Sequence, residues 1–258
     1  MSAKKTDRFS GDCILLHGPA KIGKSTLAAS FPKPILYLAT ETGYKYLPSA
    51  LRQGLNGSEL IPLEKKDGWI ALRKEIEDLR KKNSYETVVL DTASMAYELC
   101  KRYFCRQHNI SHPSERHDKG GLWSKIGDSF LEWMGYLAAA CSGKCRLVLI
   151  THSREEEIET DTEKGVKKIT VALTGQARQI LLARPDHVWY MGYGGAGETG
   201  ALKNFNQERC LWIQGSEMIY ADTRDRGLSR KARCIDPLPE KGSYQAILDL
   251  YKRRRKSK

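Results

Sequence analysis

The sequence predicts an α/β protein whose mostly parallel sheet is flanked by helices, on three observations. Short apolar runs at 13–17, 35–39, 87–91 and 146–150 alternate with stretches of helical periodicity, the pattern of β-strands joined by crossover helices. A glycine-rich phosphate-loop signature separates the first run from the first helix. The chain has 258 residues, 40% apolar and 29% charged, enough to bury a substantial core without disulfide or metal staples.

CILLH (13–17) reads as a buried strand running into the turn, and KSTLAASF (24–31) as the helix after it. Pro32 and Pro34 end that helix, and ILYLA (35–39) is a second buried strand. Residues 67–82 open on an Asp-Gly cap and place Trp69, Leu72, Ile76 and Leu79 at helical spacing. TVVLD (87–91) is a third strand, ending on an acid. Residues 94–108 and 122–142 read as helices around the polar loop SHPSERHDKGG, and RLVLI (146–150) is the fourth strand.

Beyond Thr151 the texture changes. Residues 154–168 carry six acids before three lysines and read as an exposed loop or hairpin. ITVAL (169–173), HVWYMGY (187–193) and RCLWIQG (209–215) read as further strands, with GGAGETG (194–200) as a flexible turn. No internal repeat appears. The expected organisation is a flexible N-terminus (1–11), one α/β domain (12–251) with a β-rich C-terminal third, and a basic tail (252–258).

No apolar run reaches the ~18–20 residues that span a bilayer, and the N-terminus has no signal-peptide core, so a cytoplasmic protein is expected. Of the net charge of +12, six charges belong to the tail KRRRKSK. Such a tail suits phosphate backbones through counterion release; the alternative is a solvated terminus. Among seven cysteines there is no CxxC pair. Cys100, Cys105, His108, His112 and His117 lie close in sequence, with Cys141 and Cys145 further on, but their spacings match no standard zinc module.

The strongest motif is GPAKIGKS, residues 18–25, which fits GxxxxGK[ST]. Glycines let such a loop wrap so that its N–H groups face a phosphate. Gly18, Pro19, Ala20, Lys21, Ile22, Gly23, Lys24, Ser25 and Thr26 are the nucleotide-binding candidates, with Lys24 reaching the β- and γ-phosphates and the Ser25 hydroxyl on Mg²⁺. Asp91, at the end of a neighbouring strand, is the candidate second Mg²⁺ acid; the alternative is a helix cap. Because Thr92 follows it, the water-orienting base is not adjacent, and Glu41, just past the second strand, is the candidate. His152, past the fourth strand, is a candidate γ-phosphate sensor. Glu41 as a surface loop residue and His152 as a structural one are the plainer alternatives.

Taken in order, strand–GPAKIGKS–helix, strand–TET, TVVLDT and LVLITHS resemble the RecA-type ATPase core. KSTLAASFP (24–32), HPSERHDKGGLW (112–123), THS (151–153), LTGQAR (173–178) and TRDRG (223–227) resemble, more narrowly, the short phage-encoded RecA-like ATPases of the phage nucleotide-binding and recombination group. The resemblance covers roughly residues 12–235. It implies a RecA-like P-loop NTPase core using ATP and Mg²⁺, with Glu41 as catalytic glutamate and His152 as polar sensor. Arg224 and Arg226 have the spacing of residues that such rings and filaments insert into a neighbour's nucleotide; a DNA-facing or solvated basic turn is the alternative.

The resemblance also implies a homo-oligomeric, single-stranded-DNA-binding ATPase in the host cytoplasm, working with a single-strand-binding or annealing protein. Because 155–163 is acidic where RecA-like proteins carry DNA-binding loops, Lys164, Lys167 and Lys168, or Lys252, Arg253, Arg254 and Arg255, are the DNA candidates. Two competing readings are a replication or packaging accessory ATPase with a protein partner, and a P-loop kinase.

Overall fold

The computed structural model describes residues 9–65, 67–158, 165–173, 175–193, 208–224, 234–239 and 243–253. The elements run β1 (Cys13–Gly18), α1 (Lys24–Ala29), β2 (Ile35–Ala39), α2 (Ser49–Arg52), β3 (Glu59–Pro62), α3 (Gly68–Lys81), β4 (Thr87–Asp91), α4 (Ala93–Gln107), α5 (Gly121–Cys141) and β5 (Arg146–Ile158). They continue with β6 (Val166–Val171), α6 (Gly175–Ala183), β7 (His187–Tyr193), β8 (Arg209–Trp212), β9 (Asp222–Thr223), β10 (Cys234–Ile235) and α7 (Ser243–Arg253).

The sheet order is β10-β8-β7-β1-β5-β4-β2-β3, with β6 on β5 and β9 on β7. From β7 to β3 every pairing is parallel. The strands alternate side chains between two faces, so both faces need cover. Leu15, Leu36, Leu38, Val88, Leu90, Leu147 and Leu149 pack under α3, α4 and α5, whose Trp69, Leu72, Phe130 and Trp133 complete that core. Ile14, Leu16, Tyr37, Val89, Val148 and Trp189 face the other way, against Leu27 of α1 and Tyr244 and Ile247 of α7.

Each of the four apolar runs is a buried strand, in the expected order. Asp67 stands at the N-cap position of α3, but its side chain makes no capping hydrogen bond. The charged stretch after Thr151 is a hairpin: β5 continues to Ile158 and pairs antiparallel with β6, which starts at Val166, earlier than ITVAL suggests. Acids face lysines across it, Glu156 opposite Lys168 and Glu157 opposite Lys167, the arrangement that stabilises cross-strand pairs.

Several elements lie outside the sequence expectations. β3 is a four-residue edge strand closed by Pro62, too short and exposed for periodicity to reveal. α6 takes up the GQAR part of the LTGQAR segment. α7 runs through Arg253, so the backbone of Lys252 and Arg253 is helical rather than part of a free tail. Segment 194–200 lies outside the described residues. No helix among the described residues is long and apolar enough to cross a membrane.

Candidate functional site

Because β1, β5, β4 and β2 are parallel, their C-terminal ends form one edge, and loops there can converge on a ligand. Gly18 ends β1 in register with His152 on β5, while Asp91 on β4 is in register with Ile150 and Ala39. Glu41 follows β2 by two residues. Strand order thus brings residues from four strands to one edge.

The 18–25 loop is shaped by close approach. A Cβ on Gly18 would lie 2.2 Å from the Met191 carbonyl oxygen of β7, and Gly23 sits at φ +107, a conformation that favours glycine. Lys24 is buried and donates to the carbonyls of Gly18 (2.9 Å) and Pro19 (2.7 Å). Burial lowers its pKa to about 8, against the opposing pull of Asp91 and Glu41.

Ser25 donates to Asp91 Oδ2 at 2.6 Å, and Tyr37 donates to the same oxygen at 2.5 Å. Burial raises the Asp91 pKa, and these two donors hold it down. The cap of α4 is Thr92, whose hydroxyl accepts from the Met95 N–H at 3.2 Å, so Asp91 is free of the capping role. A hydroxyl and a carboxylate meeting beside a buried lysine form the oxygen-only donor set that suits a hard divalent cation. The residues fit Mg²⁺.

Glu41 is half-buried, with Oε1 3.5 Å from His152 Nε2 and accepting from the Thr92 hydroxyl at 2.7 Å. The His152 imidazole, followed by the Thr92 hydroxyl, holds its carboxyl below the usual range against the effect of burial. Thr40 reinforces the arrangement: its hydroxyl donates to the Thr92 carbonyl at 2.9 Å and accepts the Thr92 N–H at 2.7 Å. Glu41 is therefore held in place on the same edge as Asp91.

The remaining candidates lie elsewhere. Arg224 adjoins β9 at the opposite, N-terminal edge, where it pairs with Asp186 at 3.5 Å and donates to the Ala183 carbonyl. It does not join the loop of its own chain. Arg226, Lys164, Arg254 and Arg255 lie outside the described residues. Lys167 is exposed and paired with Glu155 at 3.6 Å, Lys168 faces Glu156 across the hairpin, and Lys252 and Arg253 end α7.

The Cys/His stretch forms no group that could hold a metal among the described residues. Cys100 and Cys105 are buried, Arg116 lies against His108, and His112 caps a short turn. Sequence reading passed over Tyr37 and Thr92. A tyrosine inside an apolar strand was the available signal for the first, since a buried phenol seeks a partner. Nothing local pointed to Thr92.

A family model for an AAA domain (AAA_24) matches residues 10–225. No curated relative matches the sequence. Among solved structures, the chain is similar to the flagellar accessory protein FlaH of Methanocaldococcus jannaschii, at 14% identity and TM-score 0.43, over 80% of this chain and 77% of that one. It is also similar to an ATPase from the type III secretion system of pathogenic bacteria, at 15% identity and TM-score 0.43, over 70% of this chain and 51% of that one. The fold class has the form expected: a mostly parallel sheet between helices, with the phosphate-loop signature following β1.

Proposed function

The chain belongs to the AAA domain family and is a P-loop ATPase, and from that premise we propose that it couples ATP hydrolysis to its hold on single-stranded DNA, as a RecA-like recombination protein does. The observation that carries this reading is the continuity of β5. One strand pairs with the loop strand, presents His152 to Glu41, and continues as the hairpin bearing Lys167 and Lys168 across from it. A change at the phosphate edge therefore has a direct mechanical route to the hairpin.

In this reading residues 18–26 wrap the phosphates and Lys24 supplies positive charge to the β- and γ-phosphates. Ser25 and Asp91 hold Mg²⁺, which when bound neutralises charge on the phosphate oxygens. Glu41 orients a water towards the γ-phosphorus and takes its proton as the bond to the β-phosphate oxygen breaks, leaving ADP and phosphate. His152 and Thr92 keep Glu41 aimed.

The wider setting is a phage-encoded protein in the host cytoplasm, assembled as a ring or filament with a single-strand-binding or annealing partner. Arg224, at the far edge from its own loop, would serve a neighbouring subunit, with Arg226 two residues on. Lys164, Lys167, Lys168 and the basic stretch from Lys252 to Arg255 would contact DNA phosphates.

The test is ATP turnover by the purified protein with and without single-stranded DNA, with light scattering on the same samples and a Lys24→Ala control. Stimulation by DNA with a rise in scattering is expected, and Lys24→Ala should abolish both. Turnover indifferent to DNA, from a protein that stays monomeric, would reject the DNA-coupled reading. The accessory ATPase or kinase readings would then replace it.

A further inference from the structure

The charged groups around the loop are divided by strand order. On one side of β1 stand β5, β4 and β2 with His152, Asp91 and Glu41; on the other stand β7 and β8. Asp91 and Glu41 thus stand on one side of the loop. The side towards β8 carries a guanidinium.

Arg209 opens β8, opposite Tyr193 of β7, and its carbonyl accepts the Leu238 N–H at 2.6 Å, so its backbone is pinned from both neighbours. Its side chain crosses the end of β7 to the loop. There Nη1 lies 2.7 Å from where a Cβ on Gly23 would be, with the Met191 methyl beside it at 3.4 Å. The residue before Lys24 is glycine, and the guanidinium tip occupies the space that any side chain there would take. A long cation has been brought from two strands away to the wall of the phosphate loop.

We propose that Arg209 is a second cationic ligand for the polyphosphate of the bound nucleotide, contributed within the same chain from β8. The inference rests on the loop being the nucleotide site. A guanidinium presents a planar fork of donors suited to non-bridging phosphate oxygens. It approaches from the side of the loop away from Asp91 and Glu41, opposite the proposed Ser25–Asp91 cation site. It also keeps its charge at alkaline pH.

Two measurements on the full chain test this. The first uses the unmodified protein: phenylglyoxal modification followed by mass spectrometry, with and without MgATP, where MgATP should slow modification of Arg209 about fivefold or more. The second is calorimetric binding of MgATP and MgADP to Arg209→Gln and Arg209→Lys, with thermal unfolding recorded without nucleotide. Arg209→Gln should weaken both nucleotides about tenfold or more, as loss of a charge-assisted contact does, and Arg209→Lys should recover part of the loss. A wild-type protein that binds MgATP while Arg209 reacts at an unchanged rate would overturn the proposal, as would a folded Arg209→Gln protein with wild-type affinity. Wild-type protein that binds no MgATP would instead overturn the nucleotide-site reading beneath it.

Discussion

Thr92 and Glu41, 51 positions apart, are joined by a 2.7 Å hydrogen bond in which the threonine hydroxyl donates to the carboxylate. The same hydroxyl accepts the Met95 N–H and so starts α4. One side chain thus fixes a helix end and the aim of the proposed water-orienting base. Thr92→Val keeps the shape and removes the hydroxyl. ATP turnover should fall about tenfold through kcat with little change in KM, as expected for a loss of orientation, and unfolding should be easier by about 1 kcal/mol from the lost cap. Thr92→Ser should restore both. A Thr92→Val enzyme with unchanged kcat would show that Glu41 does not depend on this bond.

His17 supplies a pH test of stability. Its ring is fully buried, Nε2 bonds to the Tyr220 carbonyl at 2.6 Å, and Nδ1 has no hydrogen-bond partner. Burial is the main cause that lowers its pKa from 6.5 to about 4. The unfolded chain therefore binds a proton at a pH where the folded chain does not, and stability falls as pH drops from about 6.5 towards 4. The loss is on the order of 3 kcal/mol over that window. His17→Gln should flatten the pH dependence of urea midpoints between pH 6.5 and 4; an unaltered slope would assign the acid sensitivity to other groups.

Two glycines should respond differently to alanine. At Gly18 the new methyl meets the Met191 backbone carbonyl at 2.2 Å, which can yield only by moving the loop or β7. Gly18→Ala should cost about 2 kcal/mol or more and weaken nucleotide binding. At Gly127, inside α5, the nearest atom is the far end of the Gln176 side chain at 1.8 Å, which can swing away. Gly127→Ala should stay within about 1 kcal/mol of wild type, helped by the helix propensity of alanine. Denaturant midpoints of both variants check the contrast.

The hairpin is clasped by α6. Arg178 donates to Glu156 Oε2 at 2.9 Å and to the Thr170 hydroxyl at 3.1 Å, tying the helix to both hairpin strands. In Arg178→Ala, amide hydrogen exchange should quicken across Lys167–Thr170 while β1 and β4 keep their protection. Equal protection in both proteins would mean that the hairpin ladder holds without this clasp.

The parallel core and the phosphate loop were legible in the sequence because both are written locally. Apolar runs mark TVVLD and RLVLI as buried strands whatever surrounds them, and GPAKIGKS is contiguous. The charge pattern of 154–168 left a loop or a hairpin open, and the pairing of Glu156 with Lys168 and of Glu157 with Lys167 decided for the hairpin. Four-residue β3 and the two-residue strands β9 and β10 left too little pattern to read.

Tertiary structure alone decided who meets whom at the edge. Ser25 reaches Asp91 across 66 positions and Tyr37 reaches it across 54, and Arg209 reaches Gly23 by crossing a strand. Periodicity states that a strand is buried and which residues share a face, but not which strand lies beside it. The insertion of β5 between β1 and β4, and of β7 between β1 and β8, set His152 against Glu41 and the guanidinium against the loop. Those neighbours follow from packing the sheet and its covering helices together, a choice made by the whole chain and written in no single segment.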